Sequence, residues 1–198
     1  MTKDLAAWLI RVACGIRPLP AEMLPPAPVI FFANHSSHLD FVTIWAALPP
    51  AGRARTRPVA GRDYWEKTAR RRRLARDFFN AVLIERQHVT VASNPLAPMI
   101  AALEAGDSLI VFPEGTRSAD GQIHEFKSGL YHVARARPGV ALVPVYLQNL
   151  SRILPKGDIL PVPLLGSLTV GEPLRLGPDE TKPAFLQRAR EAVQQLAR

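Results

Sequence analysis

The chain has almost no sulfur chemistry to offer: Cys14 is the single cysteine among 198 residues. An internal disulfide is therefore impossible, and a zinc site built on paired cysteines is excluded. Long apolar runs are also missing. None reaches the ~18–20 residues that a bilayer-crossing helix requires. Residues 4–16 carry Asp4 and Arg11 without a cleavage signature, so no leader peptide is expected. Internal repeats and low-complexity tracts are absent, which excludes solenoids and linker-type segments. The five histidines do not form a metal-binding spacing: His35 and His38 lie close together, while His88, His124 and His132 are scattered. These absences predict a cytoplasmic protein without a structural metal, either free or attached to the inner face of the cell membrane.

What is present describes one globular domain. Hydrophobic residues make up 47% and charged residues 21% of a chain long enough to bury a sizeable core. Twenty-five basic against seventeen acidic residues give a net charge of +8. Such a balance favours an anionic partner: acidic lipid headgroups, phosphorylated substrates or nucleic acid. The 19 prolines cluster at 18–28, 49–58 and 155–183, between apolar runs, and read as rigid connections.

Periodicity supplies the elements. Leu5, Trp8, Leu9, Val12 and Ile16 follow helical spacing and predict an N-terminal amphipathic helix over residues 1–17. Two uses fit that stripe: packing on its own domain, or lying in a membrane interface with Trp8 at headgroup level. Compact apolar runs predict strands at Val29–Ala33, Arg57–Ala60, Ala81–Ile84, Ser108–Phe112 and Val140–Leu147, with a further one at Leu168–Leu176. Helical patterns lie between them at Asp40–Leu48, Tyr64–Asp77, Pro95–Ala105 and Ser128–Arg137. A last helix, Thr181–Leu196, carries Pro183 in its first turn. Alternating strands and helices predict an α/β domain with a mainly parallel or mixed central sheet flanked by helices, its core over residues 27–176 and a closing helix over 180–197.

Two polar segments follow predicted strands. In Asn34-His35-Ser36-Ser37-His38-Leu39-Asp40, a histidine and a carboxylate stand five positions apart. If the loop folds back, Asp40 can accept a hydrogen bond from one His35 ring nitrogen and leave the other to take a proton. The bland alternative is Asp40 as a helix-start residue beside a loop histidine. In Phe112-Pro113-Glu114-Gly115-Thr116-Arg117-Ser118, Gly115 allows a tight turn or a close approach by a ligand. Arg117 offers a planar fork matched to phosphate oxygens. Thr116 can donate to a phosphate, and Glu114 can accept from a substrate hydroxyl or brace the loop. A base with an orienting acid, next to an anion cradle, is equipment for acyl transfer.

His-x4-Asp followed by Phe-Pro-Glu-Gly-Thr-Arg resembles the glycerolipid acyltransferase family. Ala81-Val82-Leu83-Ile84-Glu85-Arg86 is similar to its second block, an apolar run ending in acid-Arg. Val143-Pro144-Val145 is similar to its fourth, and Phe126-Lys127-Ser128-Gly129 fits the family's Phe-Lys-x-Gly. Two departures stand out: Asn80 where the family often has glycine, and Glu85 where it often has aspartate. The resemblance implies an O-acyltransferase acting on a lysophospholipid, 1-acylglycerol 3-phosphate above all, with acyl-CoA or acyl-carrier protein as co-substrate. No cofactor and no metal are implied. Catalysis would fall to His35 and Asp40, with backbone N–H groups near the motif stabilising the oxyanion. Acceptor binding would fall to Glu114, Gly115, Thr116 and Arg117, with Arg86 and Lys127 on the phosphate. Cys14 lies outside every matched block, so no acyl-enzyme is expected.

The run Arg70–Arg73, with Arg53, Arg55, Arg57, Arg62 and Arg76 nearby, is the densest basic region. A solvated helix face and an anionic membrane patch both fit it. Nucleic acid is not an expected partner, since no recognition motif accompanies the arginines.

Overall fold

The structure, a computed structural model, describes residues 2–85, 94–150 and 166–197. Six strands form one sheet: β1 (Val29–Ala33), β2 (Thr56–Gly61), β3 (Val82–Ile84), β4 (Ser108–Val111), β5 (Ala141–Gln148) and β6 (Ser167–Val170). Their order is β3-β2-β4-β1-β5-β6. The first five strands are parallel, and β6 pairs antiparallel with β5, so the sheet is mixed. The strand expected over Leu168–Leu176 stops at Val170, and Leu174 returns as a single bridge to Leu142.

Alternation along β1 splits its side chains between two cores. Val29, Phe31 and Ala33 join Ile110, Val143 and Val145 on one face, covered by α1 (Lys3–Cys14) and α2 (Asp40–Ala47). Ile30 and Phe32 join Leu109, Val111 and Leu142 on the other. That face is covered by α6 (Leu96–Glu104), α7 (Gly129–Ala136) and α8 (Lys182–Gln195), and Phe185, Ala189 and Val193 are fully buried there. A sheet covered on both sides explains why its strands read as continuous apolar runs rather than alternating ones.

Three further short α-helices lie among the described residues: α3 (Pro50–Ala54), α4 (Arg62–Trp65) and α5 (Ala69–Arg73). The single helix expected over Tyr64–Asp77 is therefore broken. Thr68 adopts an extended backbone and caps α5 by accepting from the Arg71 amide. The segment Leu74–Phe78 then widens into one π turn. That turn lets two consecutive aromatic residues, Phe78 and Phe79, both reach Trp45.

The N-terminal helix packs on the domain through its small residues. Thr2 caps it and Gly15, at φ 66°, ends it in the left-handed region. Its buried residues are Ala6, Ala7 and Cys14, small side chains that let α1 lie close to α2. Arg11 donates to the Ala46 carbonyl at 2.9 Å, and buried Arg53 pairs with Asp4 while lying 5.3 Å from the Trp45 ring. Leu5, Trp8, Leu9 and Val12 instead face outward, Trp8 at 53% and Val12 at 63% exposure. Ile16, just past the helix, is buried as the periodicity predicts.

Candidate active site

Parallel strands β1 and β4 are neighbours in the middle of the sheet. The chain leaves β1 toward β2 through α2, on one face. It leaves β4 toward β5 through α7, on the other face. Open α/β sheets bind ligands beyond the carboxyl ends of their strands. Both polar segments begin there.

Asn34 fixes the first segment. Its side chain accepts from the Leu147 amide at 2.8 Å and donates to the Leu147 carbonyl at 2.9 Å, extending the β1–β5 ladder with a side chain. The backbone is thereby freed to turn. Asp40, fully buried, comes back onto His35 at the start of α2: its Oδ2 stands 2.8 Å from the His35 Nδ1. The same oxygen accepts the Ser36 and Ser37 amides at 2.6 and 2.8 Å. The His35 ring is held flat on Phe112, centroids 4.2 Å apart. Those contacts settle the ring's orientation and present Nε2, the nitrogen not facing Asp40, to the cavity that His35 lines.

The second segment is tied to the first through backbone. The Ser118 amide donates to the His35 carbonyl at 2.7 Å. Buried Glu114 accepts the His35 amide on Oε1 at 2.8 Å and the His124 amide on Oε2 at 3.2 Å. Both carboxylate oxygens of Glu114 thus hold the loop, and the structure favours bracing over contact with a substrate hydroxyl. Burial raises the Glu114 pKa, and the two amide hydrogen bonds oppose that rise. Because the amides of His35, Ser36 and Ser37 are taken by Glu114 and Asp40, those three groups do not form an oxyanion hole.

Gly115 has φ 72°, and a Cβ there would fall 2.8 Å from the Lys127 Nζ. Glycine at this position serves both the turn and the close passage of the lysine. Gly115, Thr116, Arg117 and Lys127 line the same cavity of about 810 Å³ as His35. Its deeper wall is apolar: Val59, Ile84, Leu96, Met99, Val111 and Leu130. Arg86 lies outside the described residues. Asn80, three residues past the π turn's Asp77, has φ 50°. Asparagine tolerates the left-handed region, so it supplies the backbone turn that glycine would otherwise serve. Among the described residues no group of three His, Cys, Asp or Glu is placed to hold a metal.

Sequence reasoning passed over the aromatic rim. His38 stacks on Tyr64 with centroids 5.0 Å apart, and the Arg71 guanidinium lies 4.3 Å from the Tyr64 centroid. Burial lowers the His38 pKa first, and Arg117, His35 and Arg71 lower it further. The available signal was Tyr64 seven residues before Arg71, but four consecutive arginines give no hint which one turns inward.

The sheet order, the cavity and the two joined segments define a class, and the chain belongs to the acyltransferase family: the family model described as Acyltransferase matches residues 19–148. A chloroplastic 1-acyl-sn-glycerol-3-phosphate acyltransferase of Arabidopsis thaliana is 30% identical over 150 residues, 73% of this chain and 37% of that protein. The human 1-acyl-sn-glycerol-3-phosphate acyltransferase alpha is 30% identical over 132 residues, 65% of this chain and 44% of that protein. The chain thus spans less than half the length of these curated relatives. The solved 1-acyl-sn-glycerophosphate acyltransferase of Thermotoga maritima shares the fold, with a TM-score of 0.74 over 98% of this chain and 78% of that one, at 22% identity.

Proposed function

We propose that the protein moves a fatty acyl group from acyl-CoA or acyl-carrier protein to the free hydroxyl of a lysophospholipid, 1-acylglycerol 3-phosphate giving phosphatidate. The contact between His35 and fully buried Asp40, at the wall of a large cavity, carries this reading. His35 takes the acceptor's hydroxyl proton through Nε2 as the oxygen attacks the thioester carbonyl. Asp40 holds the Nδ1–H tautomer and stabilises the imidazolium that forms. The tetrahedral intermediate collapses with loss of the thiolate, which the same imidazolium can protonate. Neither a metal nor a bound cofactor has a part in these steps.

Arg117 and Lys127 supply positive charge for the acceptor phosphate beside His35, and Arg86 joins them in this reading. The apolar wall from Val59 to Leu130 suits an acyl chain. The relatives in Arabidopsis thaliana and human, both 1-acyl-sn-glycerol-3-phosphate acyltransferases, support that acceptor. The outward face of α1, with Trp8 among leucines and a valine, supports attachment to a membrane surface, where the lipid substrate resides. No helix among the described residues is long and apolar enough to cross a membrane.

The direct test is thiol release from palmitoyl-CoA with lysophosphatidate, repeated with an acyl-carrier-protein donor. His35→Ala is expected to abolish release while circular dichroism and melting temperature stay unchanged. Near-normal turnover in that variant would sink the mechanism, and release only with another lysolipid would move the acceptor while keeping the chemistry.

A further inference from the structure

The arginines around α4 and α5 sort into two sets. Arg62 and Arg76 both pair with Glu66, Arg73 pairs with Asp77 at 3.7 Å, and Arg72 donates to the Glu66 carbonyl at 3.4 Å. Glu66 and Asp77 offset part of that charge. Lys67, Arg70 and Arg71 form the other set and have no carboxylate partner among the described residues. Lys67 lines the same cavity as His35, as do Tyr64 and His38.

Arg71 is not a free surface side chain. Its guanidinium is held over the Tyr64 ring, and that ring is fixed by His38 stacked on it and by Trp65 meeting it edge-on at 5.5 Å. A guanidinium held by its face keeps its N–H edge available, and much of the entropy cost of ordering it is already met. Arg71 and Arg117 both act to keep the His38 imidazole neutral, so two cations converge on one point of the rim. Cations therefore meet the cavity from two sides: Arg117 and Lys127 line it from the Gly115 loop and Lys67 from the α4–α5 segment, with Arg71 just outside the lining, held over Tyr64.

We propose that Lys67 and Arg71 form a second phosphate-binding subsite of this cavity, with Tyr64 as its platform. The class of ligand rests on the acyl-transfer reading above, in which both substrates carry phosphate. The acceptor has a phosphate headgroup. The donor has a phosphate on its pantetheine arm, whether that arm belongs to coenzyme A or to a carrier protein. One cation pair serves each.

The test compares Arg71→Ala, Lys67→Ala and Arg71→Lys with Arg70→Ala, a control that removes the same charge from an exposed position that does not line the cavity. KM is measured for each substrate with the other saturating, and calorimetry measures binding of coenzyme A alone and of lysophosphatidate alone. Arg71→Ala is expected to raise one KM by about 10-fold with kcat within about 2-fold, the pattern of lost binding rather than lost chemistry. Lys67→Ala should move the same KM, Arg71→Lys should recover only part, and Arg70→Ala should change neither. A rise in the donor KM assigns the subsite to the pantetheine phosphate, and a rise in the acceptor KM assigns it to the headgroup. Identical KM values and affinities in Arg71→Ala and Arg70→Ala would overturn the proposal. If the wild type transfers no acyl group, the acyl-transfer reading falls alone. Calorimetry then decides the subsite: weaker binding in Arg71→Ala than in Arg70→Ala keeps it, and equal or absent binding rejects it.

Discussion

At the scale of single residues, one oxygen organises the site. Asp40 Oδ2 faces the His35 ring and two backbone amides, in a position with no access to water. Asp40→Asn keeps the shape but removes the charge that stabilises an imidazolium. It is expected to lower kcat by roughly 100-fold or more, the scale of general-base catalysis, with KM for both substrates little changed. Glu114 makes a second prediction. In Glu114→Gln an amide NH₂ must face one of two backbone donors, which should cost about 1–3 kcal/mol in a denaturant titration. Its pH dependence has a definite sign. The folded pKa of Glu114 lies above the ordinary 4.5, so the folded chain holds that proton to higher pH than the unfolded one. Stability linked to this group is complete below 4.5 and is lost as pH rises through the folded pKa. The gap between wild type and Glu114→Gln should therefore narrow as pH rises above 4.5, and a widening gap would refute the assignment.

The sequence disclosed these residues unequally. The His35–Asp40 contact was legible because the Phe-Pro-Glu-Gly-Thr-Arg block favours a catalytic pair over a helix-start aspartate beside a loop histidine. For Glu114 the sequence left bracing and substrate contact both open, since its partners are backbone amides, which carry no sequence signal. Asn80 raised a question that only its backbone angle answers.

Among the elements, the parallel strands were legible because both faces are buried and their apolar runs are unbroken. The Tyr64–Asp77 segment was not: its pattern satisfies one helix, while the aromatic cluster around Trp45 requires a break and a wider turn. The N-terminal helix shows that a hydrophobic stripe alone does not say which face packs. The largest apolar side chains of α1 face outward, and small ones set its packing. Trp8→Ser combined with Val12→Ser is expected to leave the melting temperature unchanged. Co-sedimentation with anionic vesicles should fall at least several-fold, on the order of the apolar area withdrawn from the lipid. A large drop in melting temperature with vesicle binding intact would instead place that face in a folded contact.

For the whole molecule, the sheet order decides where chemistry can occur, because it sets the carboxyl ends of β1 and β4 side by side. That arrangement has a price in time. β1 comes early in the chain, yet its neighbours are β4 and β5, and Asn34 completes its pairing with Leu147, 113 residues away. A ribosome-bound chain that has emerged only to residue 140 holds β1 with one bare edge and no anchor for Asn34. The turn carrying His35 cannot settle until β5 arrives. Refolding from denaturant is accordingly expected on a scale of roughly milliseconds to seconds, set by non-local pairing. Stopped-flow fluorescence of buried Trp45 should report it, with recovery of activity no faster than that signal.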